Sequence, residues 1–196
     1  MSYSNPTLLD TRAAIGTADT PAEPISGLIL VLLKQFISLA SSTPEAVAIV
    51  PAVCDRIRSF SGDVIVTYDT HPDHYMDTAE GKKLPVLHCI KGTDGWQLDA
   101  AVAAALAEKP YRIVEKPTFG STNLPALVAE LAGEEDFVVT LIGLCTDICV
   151  VSNALLLKAH FPEKTIRVDA ACCAGVTPDT HAAALTTMKM CQIDVL

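Results

Sequence analysis

The sequence is short of charge and has no long apolar run. Of its 196 residues only 19% are charged, below the roughly 25% of an ordinary soluble chain. Half are hydrophobic, and mean hydropathy is +0.36. A disordered chain has the opposite balance and is excluded. No uninterrupted apolar stretch approaches the roughly 18–20 residues of a membrane-spanning helix. The aliphatic run 28–33 is only strand length. The apolar surplus is therefore expected inside a sheet covered on both faces, or in a subunit interface. Basic residues are scarce as well: 14 Lys and Arg face 23 Asp and Glu, giving a net charge of −9 and a pI near 4.9. Phosphate recognition needs a basic patch, and Lys82-Lys83 is too short to form one. Nucleic acid is thus not expected as a partner, nor is a membrane. Residues 1–5 are polar with no basic lead, so no signal peptide is expected. The seven cysteines are odd in number and scattered through apolar context. They read as thiols in a reducing cytoplasm.

The length suits one domain. Residues 1–27 are polar, hold Pro6, Pro21 and Pro24, and show little periodicity. They read as an N-terminal extension to a domain spanning 28–196. From 28 onward the chain alternates. Aliphatic runs at 28–33, 64–68, 111–114, 137–142, 165–168 and 192–195 predict strands. Helical patterning lies between them at 44–60, 98–108, 124–131, 147–160 and 178–190. Pro44 after Thr43 and Pro178 after Thr177 mark helix starts. Such alternation predicts an α/β fold, three layers and doubly wound, with a parallel sheet between helices. Ligands in these folds bind at the carboxyl ends of the strands.

The chemistry-bearing residues sit at those ends. Asp69, His71 and His88 offer one carboxylate and two imidazoles, a mixed oxygen and nitrogen set suited to Zn, Fe or Mn. Local hydrogen bonding is the other use for His71. Lys116 ends the third strand, where it is placed to assist a nucleophile, or is simply exposed. Gly143-Leu144-Cys145-Thr146-Asp147-Ile148-Cys149-Val150 follows the fourth strand. Thr146 and Asp147 read as helix caps, which sets Cys149 in a first turn whose dipole and N–H groups favour a thiolate and an oxyanion. Otherwise Cys149 is an apolar filler, as Cys54, Cys172, Cys173 and Cys191 are read. The loop 73–83 should border the mouth. Trp96 and Phe119 are placed either to stack on a planar ring or to join the core.

In order and separation, Asp69-Thr70-His71, the stretch 84–93, the stretch 116–121 and the stretch 143–150 resemble the nicotinamidase/isochorismatase-like cysteine hydrolase superfamily. With the Asp-x-His…His set present, the chain looks closer to nicotinamidase-like amidases than to true isochorismatases. The resemblance implies a six-stranded parallel sheet. It implies Cys149 as nucleophile, Lys116 as the residue that polarises it, Asp69, His71 and His88 as ligands of a divalent metal ion (Zn, Fe or Mn), and the backbone N–H groups of Cys145 and Cys149 as oxyanion hole. A cis peptide at Leu144–Cys145 is implied too, as are a small carboxamide substrate and a homo-oligomer. The leading reaction is nicotinamide to nicotinic acid plus ammonia, a step of pyridine nucleotide salvage.

One position departs from this pattern. The family carries an acid at the end of its first strand, in a run like Asp-x-Gln-x-Asp-Phe. Aligned without a gap through Phe36 and Thr43-Pro44-Glu45-Ala46, this chain has Val31 in place of that Asp and Leu33 in place of the Gln. No Asp or Glu lies in 28–36. Three readings follow: an impaired member that binds a small ligand, an acid supplied from elsewhere with Asp10 the nearest candidate, or an altered version of an ordinary family start. An isochorismatase-type hydrolase is the further alternative.

Overall fold

In the computed structural model the described residues are 27–33, with backbone alone for 28–33, and 43–196. Residues 1–26 of the extension, Asp10 among them, lie outside these, whereas Gly27, placed in the extension from the sequence, already belongs to the first strand. Six strands form one sheet in the order β3-β2-β1-β4-β5-β6, every neighbouring pair parallel. They are β1 (Gly27–Leu33), β2 (Asp63–Asp69), β3 (Arg112–Lys116), β4 (Val138–Leu144), β5 (Thr165–Ala174) and β6 (Asp194–Val195). The six-stranded parallel sheet expected from the sequence is present. A parallel sheet must be covered on both faces, and the side chains of β2 show how. Ile65 joins one core with Val139, Leu141 and Leu157, while Val64 and Val66 join another with Val53, Ile57 and Leu106.

Helices α1 (Pro44–Ala48), α2 (Val50–Ser59) and α4 (Ala100–Leu106) lie on the second face, with α3 (Ala79–Lys83) in the loop after β2. Helices α5 (Leu124–Ala132), α6 (Val151–His160) and α7 (Pro178–Met190) cover the first. Their starts follow side-chain chemistry. The Thr43 hydroxyl accepts from the Ala46 N–H, and Asp99 accepts from Ala101 and Val102. Thr177 and Thr180 close a reciprocal capping box with Pro178 in the first turn. None of the described helices is long and apolar enough to cross a membrane.

Several boundaries differ from expectation. The helix expected over 44–60 is two helices, because Pro51 lacks the N–H that would continue the ladder. Strand β5 runs six residues further than its aliphatic run, to Ala174, after a register shift opposite Leu141 and Gly143. Asp169-Ala170-Ala171 gives no strand signal and has no register partner on β4; the Ala170 N–H donates instead to the Leu196 carbonyl at 3.4 Å, and pairing with β4 resumes at Cys173 and Ala174. Of the cysteines read as fillers, Cys54, Cys172 and Cys173 are buried, but Cys191 is exposed at the end of α7.

Leu141 is fully buried at the centre of the first core. Leu141→Ala is expected to lower unfolding free energy by about 2–5 kcal/mol. In urea titration the midpoint should fall while the slope holds. An unchanged midpoint would mean that this core is not where the fold is secured.

Candidate active site

Parallel strands bring their carboxyl ends to one edge of the sheet. Strand β2 ends in Asp69, β3 ends in Lys116, and β4 leads directly into Cys145. Asp69 and Lys116 are register partners, so their adjacency is fixed by backbone pairing. The Lys116 Nζ donates to Asp69 Oδ1 at 3.2 Å, to the Thr118 carbonyl at 3.2 Å and to Cys149 Sγ at 3.4 Å. All three side chains are almost completely buried. Burial alone pulls the lysine pKa down, but the Cys149 sulfur and the Asp69 carboxylate outweigh it, and the net shift is upward. The ammonium form is therefore held against the sulfur.

His71 and His88 stand next to this line. The backbone of His71 pairs with the 89–91 segment, through His71 N–H to Cys89 O at 2.9 Å and Lys91 N–H to His71 O at 3.0 Å. That pairing sets His88 beside His71, after a sharp turn at Cys89 with φ +48°. The two imidazoles lie 4.8 Å apart, and the buried Tyr75 ring packs on both at 4.7 and 5.0 Å. Their ligand atoms and that of Asp69 fall within 4.8 Å of one another. A fourth group joins them: Glu80 Oε1, from the first turn of α3, is 3.7 Å from His71 Nε2 and 3.6 Å from His88 Nε2.

These residues fit a divalent ion. His71 Nε2, His88 Nε2 and Glu80 Oε1 are buried with no hydrogen-bond partner among the described residues, a costly arrangement unless something else satisfies them. Ligands at about 2.0–2.2 Å from one centre lie roughly 3.3–3.6 Å apart in tetrahedral geometry, close to the 3.6–3.7 Å that separates Glu80 from both imidazoles and Asp69 from His71. The ring N–H of His88 is directed by its Nδ1 to the Val86 carbonyl at 2.8 Å, which leaves Nε2 as the lone pair. Burial lowers the His71 pKa against the pull of the nearby carboxylates, which favours its neutral form.

Cys149 lies in a turn unlike the one expected. Thr146–Val150 forms a π turn in which both Ile148 and Val150 donate to the Cys145 carbonyl. Thr146 and Asp147 do not cap it. The Thr146 hydroxyl pairs with His181 Nδ1 at 2.8 Å, and the Asp147 carboxylate accepts from the Val176 N–H. They are turned toward α7 and the connection leading into it, because that helix packs over the turn. The Leu144–Cys145 peptide is cis.

A cavity of about 450 Å³ opens beside the site, walled by α3 residues Ala79, Glu80 and Lys83 with Leu84, Thr118 and Phe119. The 73–83 loop thus borders the mouth, as does Phe119. Trp96 instead packs edge-on to Tyr68 at 5.4 Å and donates to Thr70 Oγ1 at 3.0 Å. Val31 is described by backbone alone, between Val66 and Ile142. Sequence reasoning did not single out Glu80 or Asn153. A carboxylate eight residues before His88 was the only signal for the first, and an amide one helical turn after Cys149 for the second.

The isochorismatase domain family matches residues 28–196. Comparison with curated proteins gives no match. Among solved structures, the chain is similar to the nicotinamidase/pyrazinamidase of Bacillus subtilis, at 21% identity and TM-score 0.74, covering 87% of this chain and 99% of that one. It is similar to the pyrazinamidase of Pyrococcus horikoshii in complex with zinc, at 22% and 0.71, covering 87% and 98%. The N-carbamoylsarcosine amidase of Thermoplasma acidophilum matches at 24% and 0.63, covering 87% and 95%.

The orphaned atoms set a test. Added zinc is expected to raise the melting temperature of metal-free protein. Glu80→Gln should weaken zinc binding about 10–100-fold in chelator competition. Equal affinity in the variant would remove Glu80 from the metal site, and no binding by the parent would remove the site itself.

Proposed function

Because this chain belongs to the isochorismatase family of hydrolases, we propose that it is a metal-assisted cysteine amidohydrolase acting on a small carboxamide, with nicotinamide the leading substrate. The observation that carries this reading is the buried line from Cys149 Sγ through Lys116 Nζ to Asp69 Oδ1, set directly against the four-residue cluster. The nicotinamidases and amidase of similar fold point the same way.

The chemistry follows from these positions. The Lys116 ammonium holds Cys149 as thiolate, which attacks the carboxamide carbon and forms a C–S bond. Charge builds on the carbonyl oxygen, to be received by the backbone N–H groups of Cys145 and Cys149. The C–N bond then breaks, and Lys116 passes its proton to the departing nitrogen, which leaves as ammonia. Water attacks the thioester, giving its proton to Lys116. The acid leaves, and the thiolate–ammonium pair is restored. A divalent ion held by Asp69, His71, His88 and Glu80 would supply a Lewis-acid anchor for a ring nitrogen or a water. Asp69 orients Lys116 throughout. In this scheme Lys116 does alone what the family shares between a lysine and the acid replaced by Val31. The pocket acts on a small molecule, and the protein is expected to work as a cytoplasmic homo-oligomer.

The missing acid supports a second reading, in which the pocket binds a carboxamide without turning it over. Zinc-loaded protein is expected to release ammonia from nicotinamide. Cys149→Ala should abolish that release, and Lys116→Ala should lower it about 10²–10⁴-fold. Absence of release, with calorimetric binding of nicotinamide retained, selects the second reading. Absence of both rejects a carboxamide pocket.

Val31→Asp restores the family pattern at the first strand. It is expected to raise the rate of ammonia release, with little change in zinc affinity. An unchanged rate would mean that lysine alone already serves the proton transfers.

A further inference from the structure

Asn153 is completely buried in the first turns of α6, one helical turn after Cys149. A buried primary amide needs partners for two donor hydrogens and its oxygen. This one finds them on two separate segments. Its Nδ2 donates to the Cys149 carbonyl at 2.8 Å and to the Phe119 carbonyl at 3.0 Å, and its Oδ1 accepts from the Ser121 N–H at 2.9 Å. The orientation is unambiguous, because a flipped amide would face two carbonyls with its oxygen and an N–H with its nitrogen. One bond reaches back to the turn that precedes the helix. The other two reach across to the loop that follows β3.

That loop holds Lys116 in place. The Thr118 carbonyl is one of the three acceptors of Lys116 Nζ. Thr118 Oγ1 donates to the Gly120 carbonyl at 2.7 Å, closing a tight turn. A Cβ on Gly120 would stand 3.5 Å from Ser152, so the turn lies directly on α6. The nucleophile and the group that ionises it therefore come from different strands, and their separation depends on how the loop sits on the helix.

We propose that Asn153 is the positioning residue that sets this separation, by fixing the 117–121 loop to the backbone of Cys149 so that Lys116 Nζ is held against the sulfur. The inference rests on the amidohydrolase reading for its purpose, since only a reactive thiolate needs such control. The side chain touches neither substrate nor the reacting atoms. It acts through Thr118 and the Cys149 backbone. Two hydrogen bonds of ordinary worth to the loop set the scale, about a tenfold change in the population of the correct geometry.

The test reads the thiolate without substrate. Asn153→Leu keeps the side-chain volume and removes all three hydrogen bonds. Asn153→Asp keeps the shape and the acceptor for Ser121, and removes the amide donors. For each folded variant, iodoacetamide labelling at Cys149 is followed by peptide mass spectrometry at neutral pH. The ultraviolet absorbance of the Cys149 thiolate is taken as the difference from the same protein carrying Cys149→Ala. Both variants are expected to label Cys149 about tenfold more slowly and to show a smaller thiolate signal. The other six cysteines should be unaffected. Parental labelling and thiolate signal in either folded variant would overturn the proposal and leave Asn153 as packing. So would a parent protein with no thiolate signal at Cys149. Ammonia release is measured separately. A parent that labels at Cys149 but hydrolyses no carboxamide fails the amidohydrolase reading while the positioning result stands.

Discussion

The site is organised around one buried cation. Lys116 is 2% exposed, and an ammonium out of water must be met by anions and carbonyls or surrender its proton. Asp69 Oδ1, the Thr118 carbonyl and Cys149 Sγ meet it. Each comes from a different part of the fold: the end of β2, the loop after β3 and the turn after β4. The parallel sheet makes this convergence possible, since it delivers several strand ends to one edge. The register pair Asp69 and Lys116 makes it accurate. The 3.4 Å between Lys116 Nζ and Cys149 Sγ sets a positive charge against the sulfur, which favours its thiolate form, while burial opposes it.

The same carboxylate joins this line to the imidazole cluster. Asp69 Oδ1 lies 3.2 Å from Lys116 Nζ and 3.7 Å from His71 Nε2. Tyr75 wedges against both imidazole rings while its hydroxyl donates to the Leu84 carbonyl at 3.0 Å, which ties the rings to the wall of the cavity. Cys149, Lys116, Asp69 and the imidazole cluster are thus one contiguous buried polar network. Such networks are stable only when every member is satisfied. The atoms His71 Nε2, His88 Nε2 and Glu80 Oε1 are where this network stays unsatisfied among the described residues.

Much of this was legible in the residues. The alternation of aliphatic runs with helical segments carried the α/β class, because strands covered on both faces read as continuous apolar stretches. The ends of those runs carried Asp69, Lys116 and Cys149, because parallel strands put their functional residues there. Less was legible where a side chain serves a distant segment. Thr146 and Asp147 look like caps from their local pattern, yet Thr146 turns to His181 of α7 and Asp147 to the Val176 N–H in the β5–α7 connection. Trp96 looked equally suited to a ring-stacking role, and it spends its N–H on Thr70. Glu80 is one acid among 23, and nothing in its neighbours announces that α3 folds it over two histidines.

The sequence by itself determined the strand order, the layered class and the types of chemistry available, since these follow from local periodicity and from which residues end each strand; the short helix α3 gave no such signal. It also determined that no acid stands in 28–36. Tertiary structure alone decided which groups meet. Only packing places Glu80 on the imidazoles, makes Asn153 a bridge between two loops, and leaves Asp69 as the carboxylate against Lys116 among the described residues. The physical reason is distance: hydrogen bonds and ion pairs act over about 3–4 Å, and residues 32 to 47 positions apart in sequence reach that range only through the fold.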